Sequence, residues 1–238
     1  MARTGRMRRF VAIEAAPHRV SKLRWKLAQR VELAWWRRYL RGRSPDDYLR
    51  WKRAYWMDFL AVLGLTPKPN STVLDAGCGP AGIFCALPQC AVTAVDPLLG
   101  QYKRLAHFRA ARSPNVTFVE GAVEAYAPAA RFDYVFCLNV INHVRDLDGV
   151  CAVLAKAARP GAPVVVSVDA HRHAWLKPVF KALPGDVLHP HQLDLDEYVA
   201  AFARSGLHLT SKRRLKRERI FDYWVLVLAA EADYVTSH

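Results

Sequence analysis

Two carboxylates and three glycines give this chain its first chemical signature. Asp75 is followed by Gly77, Gly79 and Gly82, with Cys78 inside the turn. Asp96, followed by Pro97, lies about twenty residues beyond that turn. Glycine has no Cβ, so a ligand can approach bare backbone at such a turn. A second acid at that distance suits the hydroxyls of a ribose. The glycine spacing taken alone also fits a dinucleotide. Asp75 decides between nucleosides: a carboxylate beside the turn suits a ligand with a positive centre and repels a pyrophosphate.

Strands must present these acids. Val73 and Leu74 lead into Asp75, and the run 91–96 leads into Asp96, so both acids end short apolar strands. A strand is expected at 116–119, followed by Gly121, Ala122, Val123 and Glu124. Another is expected at 133–138, followed by Asn139, and a fifth at 164–169 after Pro160-Gly161. The fifth is apolar throughout most of its length, as a parallel strand covered on both faces should be. Helices are expected at 97–111, 146–158 and 194–204, the last opened by a capping-box variant, Asp194 with Glu197. Residues 207–217 and 220–229 are close enough in sequence to form an antiparallel pair. In an open α/β sheet ligands bind beyond the carboxyl ends of the strands, which is where Asp75, Asp96, Ala122 and Asn139 fall.

The pattern resembles the class I S-adenosylmethionine-dependent methyltransferases. Asp75-Ala76-Gly77-Cys78-Gly79 matches their acid-x-Gly-x-Gly motif, and Asp96 their acid after strand two. Val140-Ile141-Asn142-His143-Val144 matches their segment after strand four, and residues 158–168 their Pro-Gly turn into strand five. The match covers roughly residues 70–230. It implies a Rossmann-like seven-stranded, mostly parallel sheet of order 3-2-1-4-5-7-6 with strand 7 antiparallel and helices on both faces. It implies S-adenosylmethionine as cofactor, held by Asp75, Gly77, Cys78, Gly79, Gly82, Asp96, Pro97, Ala122, Val123 and Asn139. Many members carry an acid where this chain has Ala122, so Glu124 or backbone groups must replace that contact to the adenine. Methyl transfer to a hydroxyl or amine needs alignment and a base, and histidine titrates in the useful range. His143, His171 and His173 are the candidates, and the loop carrying His189 and His191 is expected over the same mouth. For His143 an ordering role in its own loop stands beside the catalytic one.

The chain has 238 residues, 52% hydrophobic, enough for one substantial core with an accessory segment. Two parts are expected: a basic, aromatic-rich helical extension over 1–69 and the cofactor-binding domain over 70–238. The net charge of +14 is concentrated in the extension, where residues 1–56 hold 16 Lys/Arg against 4 Asp/Glu. Residues 57–211 balance at 13 of each. A charge so placed suggests a local anionic partner. Five scattered cysteines read as reduced core residues of a cytoplasmic protein. Cys85 and Cys90 have no partners at finger-like spacing, so no metal is expected. No stretch reads as a membrane span or a signal peptide.

Residues 21–41 read as a helix with two apolar sectors. Leu23, Leu27, Val31, Ala34 and Trp35 share one, and Trp25, Leu33, Trp36 and Leu40 the other; Lys26, Arg30, Arg37 and Arg41 lie between. A lid packed on the domain and an interfacial helix on an anionic membrane both fit, and they are compatible. Ser44-Pro45-Asp46-Asp47 opens a second helix that stops at Gly64. The basic run 212–219 reads as a solvated sheet edge or a phosphate grip. The leading expectation is a methyltransferase for a small or lipid-like acceptor at N or O. An RNA methyltransferase using the basic arm, and an inactive basic interaction protein on the same fold, remain open alternatives.

Overall fold

Apolar runs covered on both sides build the centre of this chain. The computed structural model describes residues 19–172, 191 and 193–231. Its strands are β1 (Thr72–Ala76), β2 (Ala91–Asp96), β3 (Val116–Glu120), β4 (Tyr134–Cys137), β5 (Pro163–His171), β6 (Leu207–Arg217) and β7 (Phe221–Ala230). They form one sheet of order β3-β2-β1-β4-β5-β7-β6. β1 to β5 pair in parallel, and β7 runs antiparallel to both β5 and β6. This is the topology the resemblance implied.

Successive strand residues point to opposite faces, and each face has its own core. Leu74, Val135, Val164 and Val166 pack toward α5 (Leu147–Ala157) and α6 (Leu195–Arg204). Val73, Phe136 and Val165 pack on the other face with Trp56, Phe59 and Leu60 of α2 (Pro45–Leu63). Both cappings read from sequence are present. Ser44 Oγ accepts from the Asp47 amide at the start of α2, and Gly64 ends that helix at φ 64°. Asp194 and Glu197 exchange bonds with each other's backbone amide at the start of α6. The first helix, α1 (Lys22–Tyr39), starts at its Ser21 cap.

The expected helix over 97–111 is two short helices, α3 (Leu99–Tyr102) and α4 (Ala106–Ala111). Tyr102 and Phe108 are both fully buried. On one continuous helix, residues six apart would point about 120° apart, so the break lets both rings enter the same core. Among the described residues, no helix is long and apolar enough to cross a membrane. The basic run lies on the end of β6, the outer edge strand, and in the turn after it, and is solvent-exposed throughout.

Candidate active site

The glycine turn after β1 is fixed by backbone bonds and by crowding. Gly77 sits at φ 77°, and a Cβ built on it would lie 2.2 Å from Val140 Cγ2. Its amide donates to Val95 O at 2.7 Å, and the Cys78 amide donates to the same oxygen. The two acids are held by amides. Asp96 Oδ2 accepts from the Gly79 amide at 2.9 Å and Oδ1 from the Leu98 amide at 2.8 Å. Asp75 Oδ2 accepts from the Phe84 amide at 3.2 Å. From α2, Trp56 Nε1 donates to Ala81 O and pins the turn's far side.

A roof lies over this cradle. The start of α1 is tied to the loop after β4: the Val20 amide donates to Arg145 O at 2.8 Å, and Arg19 pairs with Asp146. From there α1 crosses the pocket, which Trp25, Gln29, Glu32 and Trp36 line. Trp36 Cζ2 would be 3.8 Å from a Cβ on Gly79, so the indole sits directly over the glycine turn. Glu32 accepts from Trp36 Nε1 and from the Tyr102 hydroxyl. Lys52 of α2 lines the same pocket, with its ammonium 4.7 Å from the Trp56 ring centroid.

Burial sets the charge balance of the pocket. It pushes the Asp96 carboxyl up to about 7, with Glu32 adding to the effect. It pushes Asp75 up to about 7 as well, against the Phe84 amide, and Asp96 adds to it. Glu32 and Glu124 are raised by burial too. Burial lowers the Lys52 ammonium to about 8, against the attraction of Asp75. Four acids that resist ionising alone in a low-dielectric pocket are stabilised by a ligand that brings a cation. The five cysteines are unpaired and buried or half-buried. Burial pushes Cys85 and Cys151 up to about 12 and Cys78 well above its ordinary value.

The structure gathers all ten expected cofactor residues, from Asp75 to Asn139, around this one pocket. His143 lines it as well. His171 does not. β5 runs two residues further than the apolar pattern suggested, and His171 pairs with Phe221 of β7. It is 4% exposed, with its ring 4.4 Å from that of Phe221, so its expected place at the substrate mouth is corrected. His191 is also buried, its Nε2 2.7 Å from Val144 O. Asn142, beside His143 in the segment after β4, is a buried tie: its Nδ2 donates to Asp169 O, His191 O and the Tyr198 hydroxyl. His173 and His189 lie outside the described residues. Among the described residues no cluster of His, Cys, Asp or Glu is placed to hold a metal ion.

Sequence reasoning missed Gln29, Glu32 and Lys52. Glu32 carried a readable signal: it is the one acid in a helix otherwise rich in Lys and Arg, and it falls in the sector with Trp25 and Trp36. Which apolar sector faced the domain was not readable from α1 alone.

The cradle fits S-adenosylmethionine: glycines where a Cβ would collide, a carboxylate ending β2 for ribose hydroxyls, and buried acids that a sulfonium would satisfy. Comparison with known proteins agrees. A methyltransferase-domain family matches residues 48–212. A ubiquinone biosynthesis O-methyltransferase of Paracidovorax citrulli is 33% identical over 79% of this chain and 74% of its own length. Two solved structures share the fold. The N-methyltransferase NodS of Bradyrhizobium japonicum with S-adenosylhomocysteine has a TM-score of 0.60 at 15% identity, over 88% of this chain and 99% of that one. A phosphoethanolamine N-methyltransferase of Haemonchus contortus with S-adenosylhomocysteine has a TM-score of 0.61 at 17% identity, over 74% of this chain and 53% of that one. With the motif, the topology and the family match in agreement, this chain belongs to the S-adenosylmethionine-dependent methyltransferases of the methyltransferase-domain family.

Proposed function

We propose that this enzyme methylates a hydroxyl of a small, lipid-like aromatic acceptor. The observation that carries the reading is the make-up of the pocket wall. Trp25, Trp36 and Trp56 line it beside two basic side chains, His143 and Lys52. Flat aromatic walls suit an aromatic acceptor; an imidazole can draw a proton from a hydroxyl, and an ammonium can offset the charge left on the oxygen. The similarity to an O-methyltransferase of ubiquinone biosynthesis supports an oxygen acceptor on a lipid-soluble ring.

When bound, S-adenosylmethionine supplies an electrophilic methyl group and its own leaving group, a neutral thioether. Asp96 and the open backbone of the Gly77–Gly79 turn would hold it, and Asp75 would offset its positive charge. In this reading His143 would take the proton of the acceptor hydroxyl on a ring nitrogen, leaving the oxygen able to accept the methyl group. Lys52 stabilises the oxygen's developing negative charge. The α1 roof keeps water from competing as the nucleophile.

The test is incubation with S-adenosylmethionine and a panel of prenylated catechols and phenols, with phosphoethanolamine as the amine control. Methyl ethers detected by mass spectrometry are the expected product. His143→Ala is expected to lower kcat by roughly 10²–10⁴ while calorimetric cofactor binding holds. Methylation of the amine alone, or an unchanged kcat in the variant, would sink the proposal.

A further inference from the structure

The outer face of α1 is apolar where an ordinary surface helix is polar. Leu23 is 80% exposed, Leu27 48%, Val31 39% and Trp35 47%. With Ala34 they form one stripe along an 18-residue helix, about 27 Å long, whose opposite face roofs the pocket. Among the described residues nothing covers this stripe. Its charges are one-sided: Lys22, Lys26, Arg30, Arg37 and Arg38 are exposed, while the helix's one acid, Glu32, is turned into the pocket. An apolar stripe with a wholly cationic border matches the boundary of an anionic bilayer, where tryptophan sits at headgroup depth and Lys and Arg reach phosphates.

Topology adds a second contact. β5 and β6 run parallel, so their carboxyl ends lie on the edge of the sheet that carries the pocket. Arg172, Arg217 and Arg219 border a shallow groove there, with Glu218 among them and paired with Lys216. The groove thus adds a net cationic patch on the same edge of the sheet as the pocket.

We propose that α1 lies on an anionic membrane surface, with Leu23, Leu27, Val31 and Trp35 in the acyl boundary. The active-site edge then faces the bilayer from which a lipid-like acceptor would come. The membrane contact stands independently of the acceptor reading, because its test needs no substrate.

Flotation of the full chain with mixed phosphatidylglycerol–phosphatidylcholine vesicles provides that test, beside pure phosphatidylcholine vesicles and bulk tRNA. The expected result is flotation with anionic vesicles, weakened by salt and by removal of the anionic lipid. Leu23→Glu/Leu27→Glu should partition roughly a hundredfold less, with S-adenosylhomocysteine binding unchanged. Should that variant lose cofactor binding through misfolding, Lys26→Gln/Arg30→Gln replaces it and is expected to weaken flotation roughly tenfold or more. A wild-type chain that stays off anionic vesicles overturns the proposal, as does a folded variant that floats equally well. A wild-type dimer that the leucine variant converts to a monomer would assign the stripe to a second copy instead. Retention of tRNA without vesicle binding would assign the surface to nucleic acid, and either result overturns the membrane reading.

Discussion

At Gly77 two costs coincide, since φ 77° strains any residue with a Cβ and Val140 fills the space that Cβ would take. Gly77→Ala is expected to lose about 2–5 kcal/mol of stability, the sum of left-handed strain and overpacking. In the Gly77→Ala/Val140→Ala double variant, chemical denaturation should show a loss smaller than the sum of the two single losses, because the shared collision is gone. Strict additivity would mean that strain alone requires the glycine. The acids make a second prediction. Asp75 and Asp96 sit at about 7, so both lose charge as pH falls from 8 to 6. Affinity for S-adenosylmethionine should drop roughly tenfold per required carboxylate over that interval, and less for S-adenosylhomocysteine, which lacks the sulfonium charge. Burial dominates at Asp75, and Lys52 is among the groups that oppose it. Lys52→Met should therefore move the calorimetric pH profile to higher pH; an unmoved profile would show that Lys52 does not reach Asp75 electrostatically.

Among the elements, α1 makes the sharpest prediction. Bound at its start to Arg145 and Asp146 and crossing the glycine turn at Trp36, it should exchange its amide hydrogens more slowly once cofactor fills the space beneath. Hydrogen-exchange mass spectrometry with and without S-adenosylhomocysteine checks this, and unchanged exchange over residues 22–39 would contradict a roof. The strands, the caps of α2 and α6 and the glycine turn were legible because each rests on local signals: apolar runs, Ser-Pro-Asp-Asp, Asp with Glu three residues on. What was not legible depended on distant partners. The break between α3 and α4 follows from Tyr102 and Phe108 sharing one core, which periodicity cannot show. His171 left the expected mouth because β7 offered it Phe221 to pair with. Glu32 and Lys52 joined the site through helices that reach it only once the chain has folded.

Across the whole molecule, the buried pocket makes stability depend on pH in two opposing ways. Asp75 and Asp96 are raised, so their contribution is complete below the ordinary aspartate range near 4 and is lost as pH rises through about 7. Lys52 is lowered, so its contribution is complete above about 10.5 and is lost as pH falls through about 8. Together they predict a dip in the melting temperature of the cofactor-free enzyme between about 7 and 8. Scanning calorimetry from pH 5 to pH 9 should find that dip, and Asp96→Asn should make it shallower; an identical curve would place the cost of the pocket elsewhere. Cofactor at a hundred times its Kd should restore about 2.7 kcal/mol. The cysteines make the protein tractable in a quite different way. All five are buried or half-buried, and burial raises every one of their thiols. Maleimides and mild oxidants react with thiolates, so the native chain is close to silent toward them at neutral pH. Leu23→Cys would then introduce the one fully solvated thiol of ordinary acidity, and a fluorophore attached there would report on the outer face of α1 with every native cysteine left in place.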